Sequence, residues 1–247
     1  MNFSGISDRT LWGRFLRLPL RFIPAGMTMP ILQGKLRGKK WIAGSSSHGC
    51  WLGSYEYEKR SAFEKIVGKG DIVYDIGANV GFYTLLASVL VGPNSRVFAF
   101  EPVPGNLLYL KKHLRLNRTG NVTVIEAAVS DHCGMTYFNQ STNSSMGHIA
   151  LGGNLKVKTV SLDELISTGE VSIPDHIKID VEGAEMMVLS GAKLMLAERH
   201  PTLFLATHGQ DLRHQCCRFL EGLGYELRPI VGDSLEQSDE ILALCRR

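Results

Sequence analysis

Short apolar runs of five or six residues punctuate the chain at 72–76, 96–100, 122–127, 176–181 and 202–207. Between several of them lie longer stretches whose apolar residues recur every three or four positions. Brief runs rich in Val, Ile and Phe read as buried strands, and the 3.6-residue period between them reads as helix. The pattern predicts helices over 80–91, 104–117 and 210–222, with Pro104 in the first turn of the second and Gly224 closing the third. Strand alternating with helix requires parallel crossovers. The last stretch differs. Residues 225–231 and 240–245 are joined by a polar turn and predict a closing hairpin. Together these elements predict an α/β fold with a doubly wound, mostly parallel seven-stranded sheet and a C-terminal antiparallel strand.

Smaller elements surround this frame. Residues 134–138 and 155–160 predict a hairpin interrupted by the polar stretch Asn139 to Asn154; within it Asn139 to Gly153 is read either as a mobile wall over a binding site or as a plain surface loop. Ser161 and Glu164 have the spacing of a capping box for a helix over 162–168. Tyr55 to Val67 reads as a helix closed by Gly68, and residues 27–53 alternate as a short glycine-bearing hairpin. Residues 9–18 place Leu11, Phe15 and Leu18 on one helical face and Arg14, Arg17 and Arg21 on another, before Pro19. Two readings stay open for that segment: a peripheral membrane contact through 9–23, or a lid packed on the domain. The expected division is an extension over 1–54 and a main domain over 55–247.

Composition narrows the class. An apolar content of 44% supports a true core and excludes a disordered or collagen-like chain. Residues 1–40 hold eight Lys or Arg against Asp8 alone, a net of +7, while the other 207 residues sum to −4. The basic arm suits an anionic surface; the slightly acidic remainder argues against nucleic acid as substrate. Five cysteines without a CxxC pair point to neither a zinc site nor a disulfide framework, which fits a cytoplasmic compartment. No apolar run reaches the roughly 18 residues of a membrane span, and arginines interrupt any signal-peptide core.

The run Asp71-Ile-Val-Tyr-Asp75-Ile-Gly77-Ala-Asn79-Val-Gly81-Phe-Tyr-Thr84 carries the most chemistry. A strand ends in an acid and passes through a glycine turn into a helix, which sets bare backbone beside a ligand at the carboxyl edge of the sheet. Gly77 and Gly81 are spaced GxxxG rather than GxGxxG, so a nicotinamide dinucleotide is disfavoured. An acid there repels pyrophosphate but suits an ammonium or a sulfonium, which points to S-adenosyl-L-methionine. Gly77, Asn79, Gly81 and Thr84 complete the expected cofactor turn with Asp75. Glu101, closing the apolar Val97–Phe100 strand, is placed to accept ribose hydroxyls. Ser130 and Asp131 are read either as an adenine edge or as a turn cap.

A second charged run, His176-Ile-Lys178-Ile-Asp180-Val-Glu182-Gly183-Ala-Glu185, lies on and beyond a strand that is otherwise buried. Asp180 is expected at the carboxyl edge of the sheet. Lys178, two residues earlier on the same strand face, is read as a structural ion pair. His208 follows the apolar Leu203–Thr207 strand and brings an imidazole toward the same edge.

The chain resembles the FkbM family of S-adenosylmethionine-dependent methyltransferases. The resemblance rests on Gly53-Ser-Tyr55-Glu56, Gly70-Asp71, Asp75-Ile-Gly77-Ala-Asn79-Val-Gly81, Phe100-Glu101-Pro102, Ala128-Val-Ser130-Asp131, Ser161-Leu-Asp163-Glu164 and Lys178-Ile-Asp180-Val-Glu182-Gly183-Ala184-Glu185, in family order across about residues 50 to 210. It implies a Rossmann-like class I methyltransferase and O-methylation of a hydroxyl on a sugar, glycan or secondary metabolite. The expected catalytic groups are His208 as base, Asp180 or Glu182 to orient it or the acceptor, and Glu56. No resident metal is assigned; a metal-assisted version needs Asp180, Glu182 and His208 to converge. A non-catalytic cofactor-binding module is the rival from another class. Family members often carry a glutamate two positions before the histidine, and here that position is Ala206. A carboxylate to orient His208 is therefore missing from its expected place.

Overall fold

The computed structural model describes residues 20, 22–140, 147–149 and 155–245, with side chains omitted for 138–140 and 147–149. The amphipathic stretch expected at 9–18 and most of the polar wall expected between 139 and 153 lie outside the described residues. Among the described residues, no helix is long and apolar enough to cross a membrane.

The central sheet contains β3 (Val73–Ile76), β4 (Val97–Phe100), β5 (Val122–Ile125), β10 (His176–Ile179), β11 (Thr202–Ala206), β12 (Tyr225–Pro229) and β13 (Glu240–Cys245). Their spatial order is β12-β13-β11-β10-β3-β4-β5. All neighbours from β11 through β5 are parallel, while β13 is antiparallel to both β11 and β12. The closing hairpin forms as expected, but its second strand enters the sheet and leaves β12 at the edge. Strand order reverses between β3 and β10, so the crevice beyond their carboxyl ends is where an open α/β sheet takes a ligand.

Alternation along these strands divides the core. Tyr74, Ile76, Phe98, Phe100, Ile177, Ile179, Leu203 and Leu205 form one apolar cluster. Val73, Val97 and Phe204 point the other way, onto α2 (Tyr57–Ile66) and α3 (Phe82–Val91). Trp41, Cys50 and Trp51 join that second cluster from β2 (Lys40–Ile42) and α1 (Gly49–Leu52), with β2 paired antiparallel to β1 (Thr28–Pro30). His113, on α4 (Pro104–Leu116), fastens this segment to the glycine turn. Its Nε2 accepts the Ile42 N–H at 3.1 Å, and its Nδ1 donates to the Val80 carbonyl at 2.8 Å.

Two local expectations need correction. The run 122–127 is not one strand: β5 stops at Ile125, and Ala128–Val129 (β6) joins another sheet, ordered β6-β9-β7-β8. That sheet contains β7 (Gly134–Gln140), β8 (Gly147–Ile149) and β9 (Leu155–Val160), and β7 and β9 pair antiparallel as predicted. Nor do Ser161 and Glu164 form a capping box on α5 (Leu162–Ser167). Ser161 Oγ instead donates to the Gly191 carbonyl at 2.9 Å, which also accepts the Asp163 N–H. A longer-range acceptor has displaced the local cap. Gly191 must come close here, because a Cβ on it would lie 1.9 Å from the Ser130 carbonyl oxygen. It lies between α6 (Glu185–Ser190) and α7 (Lys193–Arg199), which make the crossover from β10 to β11.

Candidate active site

Parallel register sets the first contacts. It pairs Lys178 of β10 with Asp75 of β3, so both charged side chains leave adjacent strands on the same face. Lys178 Nζ lies 3.2 Å from Asp75 Oδ1 and donates to the Gly77 carbonyl at 2.9 Å. Thr84 Oγ1 donates to Asp75 Oδ2 at 2.6 Å. Asp75 is 1% exposed, and neither it nor Thr84 lines the adjoining cavity. The structure puts both beneath the glycine turn as its support. The ion pair expected of Lys178 is present, with Asp75 as its partner.

The turn itself faces the cavity. Gly77 has φ +73°, and a Cβ there would lie 1.9 Å from the Asp180 carbonyl oxygen, so the chain leaving β10 passes where a side chain would stand. Asn79, also left-handed at φ 50°, lines the cavity. Gly81 does not line it; a Cβ there would meet Leu110 Cδ1 at 2.4 Å, and its bareness lets α3 pack against α4.

Glu101 reaches the cavity from the end of β4. It accepts the Asn79 N–H at 2.8 Å, the Val103 N–H at 2.9 Å and the Asn106 amide at 3.2 Å. Burial raises its pKa, while those donors favour the charged form. Three donors fill three of roughly four acceptor positions on a carboxylate, leaving capacity for a hydroxyl. Beside it the wall is Ala127, Ala128 and Val129. Ser130 and Asp131 lie outside the lining: Ser130 is buried with its hydroxyl on Asp131 Oδ1 at 3.0 Å, and Asp131 points outward to His132 at 2.6 Å.

The cavity, whose volume is about 630 Å³, is also lined by Asp180, Glu182, His208, Glu56 and Glu240. His208 Nδ1 donates to Glu185 Oε1 at 2.7 Å. Its Nε2 stands 3.2 Å from Glu182 Oε2 and 3.9 Å from Asp180 Oδ1. The hydrogen bond to Glu185 is the chief reason the imidazole pKa rises to about 9; burial opposes it, and the charges of Glu182, Glu185 and Asp180 add to it. Burial would raise the Asp180 carboxyl, but Lys59, Lys178 and His208 together hold it below its ordinary value. Glu182 moves up, mainly through burial. One ligand-capable atom each from Asp180, Glu182 and His208 lies within 4.8 Å of the others, so the three converge.

Sequence reasoning assigned no role to two residues here. Glu185, fully buried at the start of α6, supplies the carboxylate absent from position 206. Its only local signal is a charge at the head of the apolar run Met186–Leu189. Lys59 on α2 is 2% exposed and reaches Glu240 at 2.9 Å, Asp180 at 3.2 Å and Glu56 at 3.5 Å. These carboxylates keep it charged against the pull of burial. Glu56 also accepts the Tyr83 hydroxyl at 3.0 Å. In the sequence, Lys59 resembles any solvent-facing helix lysine.

Residues 75–227 match the family model described as the methyltransferase FkbM domain. The chain belongs to the FkbM methyltransferase family. Among relatives, it is 33% identical to the hexuronic acid methyltransferase AglP of Haloferax volcanii, over 49% of each chain. It is 32% identical to the 31-O-demethyl-FK506 methyltransferase FkbM of Streptomyces tacrolimicus, over 50% of this chain and 60% of that one. The chain thus spans about half the length of the curated relatives it matches. The crystal structure of a methyltransferase FkbM from Methylobacillus flagellatus superposes with a TM-score of 0.50 at 20% identity, covering 71% of this chain and 43% of that one, and shows the shared Rossmann-like fold.

Proposed function

We propose that this chain transfers a methyl group from S-adenosylmethionine to a hydroxyl of a sugar, glycan or secondary metabolite. One observation carries the reading: a single cavity is lined both by the Gly77 turn with Glu101 and by Asp180, Glu182 and His208. The names of the hexuronic acid and demethyl-FK506 methyltransferases support a hydroxylated acceptor. The residues fit the donor. Gly77 leaves a cradle that a Cβ would fill, Asn79 lines the turn, and Glu101 keeps acceptor capacity for ribose hydroxyls.

When bound, the donor supplies a methyl carbon already activated by its sulfonium. What the chain adds is position, a dry wall and help with the acceptor proton. Lys178, Asp75 and Thr84 fix the turn from below. Glu185 fixes the imidazole of His208 so that Nε2 faces the cleft; with its pKa raised to about 9, the ring takes the acceptor hydroxyl proton only in its neutral form, so turnover rises toward alkaline pH. Asp180 and Glu182 balance the charge that passes there, and Glu56 lines the same cavity. The acidic rim repels a phosphate backbone, which supports a small-molecule or glycan partner over nucleic acid.

Calorimetry with S-adenosylmethionine and its demethylated product tests the donor site. Transfer of labelled methyl to a panel of hexuronates, neutral sugars and polyketide alcohols tests the acceptor class. Expected are saturable binding of both donor forms, and transfer that His208→Ala abolishes. Tight donor binding with no transfer to any acceptor favours a binding module instead.

A further inference from the structure

We infer that Asp180, Glu182 and His208 form a binding site for one divalent transition-metal cation. The inference rests on the methyltransferase reading only for the cation's purpose, not for its binding. Three features of the cleft carry it.

The first is the way the ligand atoms are divided. Asp180 turns Oδ2 to Lys59 at 3.2 Å and to Lys178 at 3.9 Å, and turns Oδ1 to His208. His208 commits Nδ1 to Glu185 and presents Nε2 to Glu182. Asp180 and His208 therefore each have one atom anchored to the protein and another facing a shared point, which Glu182 Oε2 also approaches. A histidine held by a carboxylate through its far nitrogen is the arrangement that fixes tautomer and direction in metal sites.

The second is spacing. A cation about 2.1 Å from each donor sets its ligand pairs roughly 3 to 4 Å apart. The observed separations are 3.2 Å and 3.9 Å, with all three atoms within 4.8 Å.

The third is charge. Glu56, Asp75, Asp180, Glu182, Glu185 and Glu240 surround two lysines and one imidazole. Lys178 serves Asp75 first, and Lys59 is shared by three carboxylates. Negative charge therefore remains in excess in a partly desolvated cleft, and burying uncompensated charge is costly. The lone sulfonium of the donor leaves that excess largely in place.

Two carboxylate oxygens and one imidazole nitrogen, open on the cavity side, suit Mn2+ or Zn2+. Such a cation coordinates the acceptor oxygen and lowers its pKa. In the cation-bound form Nε2 of His208 is a ligand and no longer the base. The hydroxyl proton passes to water at the cleft mouth, the O–C bond forms as the C–S bond breaks, and the bonding pair stays on sulfur.

The test is titration of the chelator-treated full chain with Mn2+, read by electron paramagnetic resonance, and with Zn2+, read by calorimetry. One site per chain is expected, with affinity falling about tenfold to a hundredfold in Glu182→Gln and in His208→Ala. Both residues sit at the partly exposed cavity wall, and their melting curves check that the fold survives. Glu226→Gln, at an exposed pair with Arg228, should bind as wild type. No saturable binding of either cation below about 1 mM, or binding unchanged in both site variants, overturns the inference. Calorimetry with the demethylated donor runs beside it. Donor binding with full turnover in cation-free protein overturns the cation's catalytic purpose, while the titration alone decides its binding. Cation binding without donor binding overturns the methyltransferase reading alone.

Discussion

The Nδ1–H of His208 meets the buried carboxylate of Glu185 at 2.7 Å, across the gap between the end of β11 and the start of α6. Ala206, two residues before the histidine, cannot orient the ring, and Glu185 does so from the neighbouring crossover. Glu185→Gln keeps the shape but loses the negative charge that anchors the imidazole. The expected result is a kcat lower by about tenfold to a hundredfold, with KM for the donor little changed and a shifted pH–rate profile. Steady-state kinetics that separate kcat from KM check it; a uniform loss of donor affinity with kcat retained counts against the positioning role.

Gly77 is constrained twice, by φ +73° and by the Asp180 carbonyl that a Cβ would meet at 1.9 Å. Gly77→Ala should cost about 1–3 kcal/mol of stability and weaken donor binding together with it. Urea unfolding monitored by fluorescence gives the first quantity and calorimetry the second. A variant as stable as wild type would show that the chain leaving β10 yields without cost.

Lys59 balances Glu240, Asp180 and Glu56 from a position with 2% exposure. Lys59→Met removes the cation and leaves the carboxylates facing one another, at a cost of about 3–5 kcal/mol. Adding Glu240→Gln to that variant should restore part of the loss, because it removes one of the stranded charges. A double-mutant cycle on the unfolding free energies reads the coupling directly. Strict additivity of the two changes would deny the contact.

His113 is buried against Trp41, with ring centroids 3.8 Å apart, and its pKa is depressed to about 4, mainly by burial. The unfolded chain protonates this imidazole near its ordinary value of about 6.5, whereas the folded chain resists until about 4. Its contribution is complete above that ordinary value, declines as pH falls, and is exhausted below about 4. The loss across that window is about 3 kcal/mol. Unfolding free energies measured from pH 7 to 4 should fall accordingly, with uptake of about one proton from this site. A slope that His113→Gln leaves untouched assigns the acid sensitivity elsewhere.

The frame of the fold was legible because short apolar runs and helical periods are local signals. Strands β3, β4, β10 and β11 and the closing hairpin stand within a residue or two of their expected places, apart from fraying at the ends. Failures occur where a distant partner outweighs the local preference. Ser161 has a capping partner three residues away in sequence, yet bonds to Gly191 across a tertiary contact. Asp75 ends a strand at the carboxyl edge and was expected to face a ligand, but parallel register puts Lys178 beside it and closes it off. Asp180, Glu182 and His208 were legible as candidates because each follows a buried strand. Glu185 and Lys59 were not, since their roles depend on which crossover and which helix pack nearby. One chain's local spacing does not encode that.

Strand β13 lies inside the sheet, between β11 and β12, and carries Glu240 to Lys59, 181 residues earlier in the chain. During synthesis, the slot beside β11 must therefore wait until nearly all the described chain has left the ribosome. Until then Lys59 lacks one of its counter-charges and β11 offers a bare edge to any passing strand. Electrostatic completion of the cleft is thus among the last events of folding, and a nascent chain halted before residue 240 is exposed to strand exchange at β11.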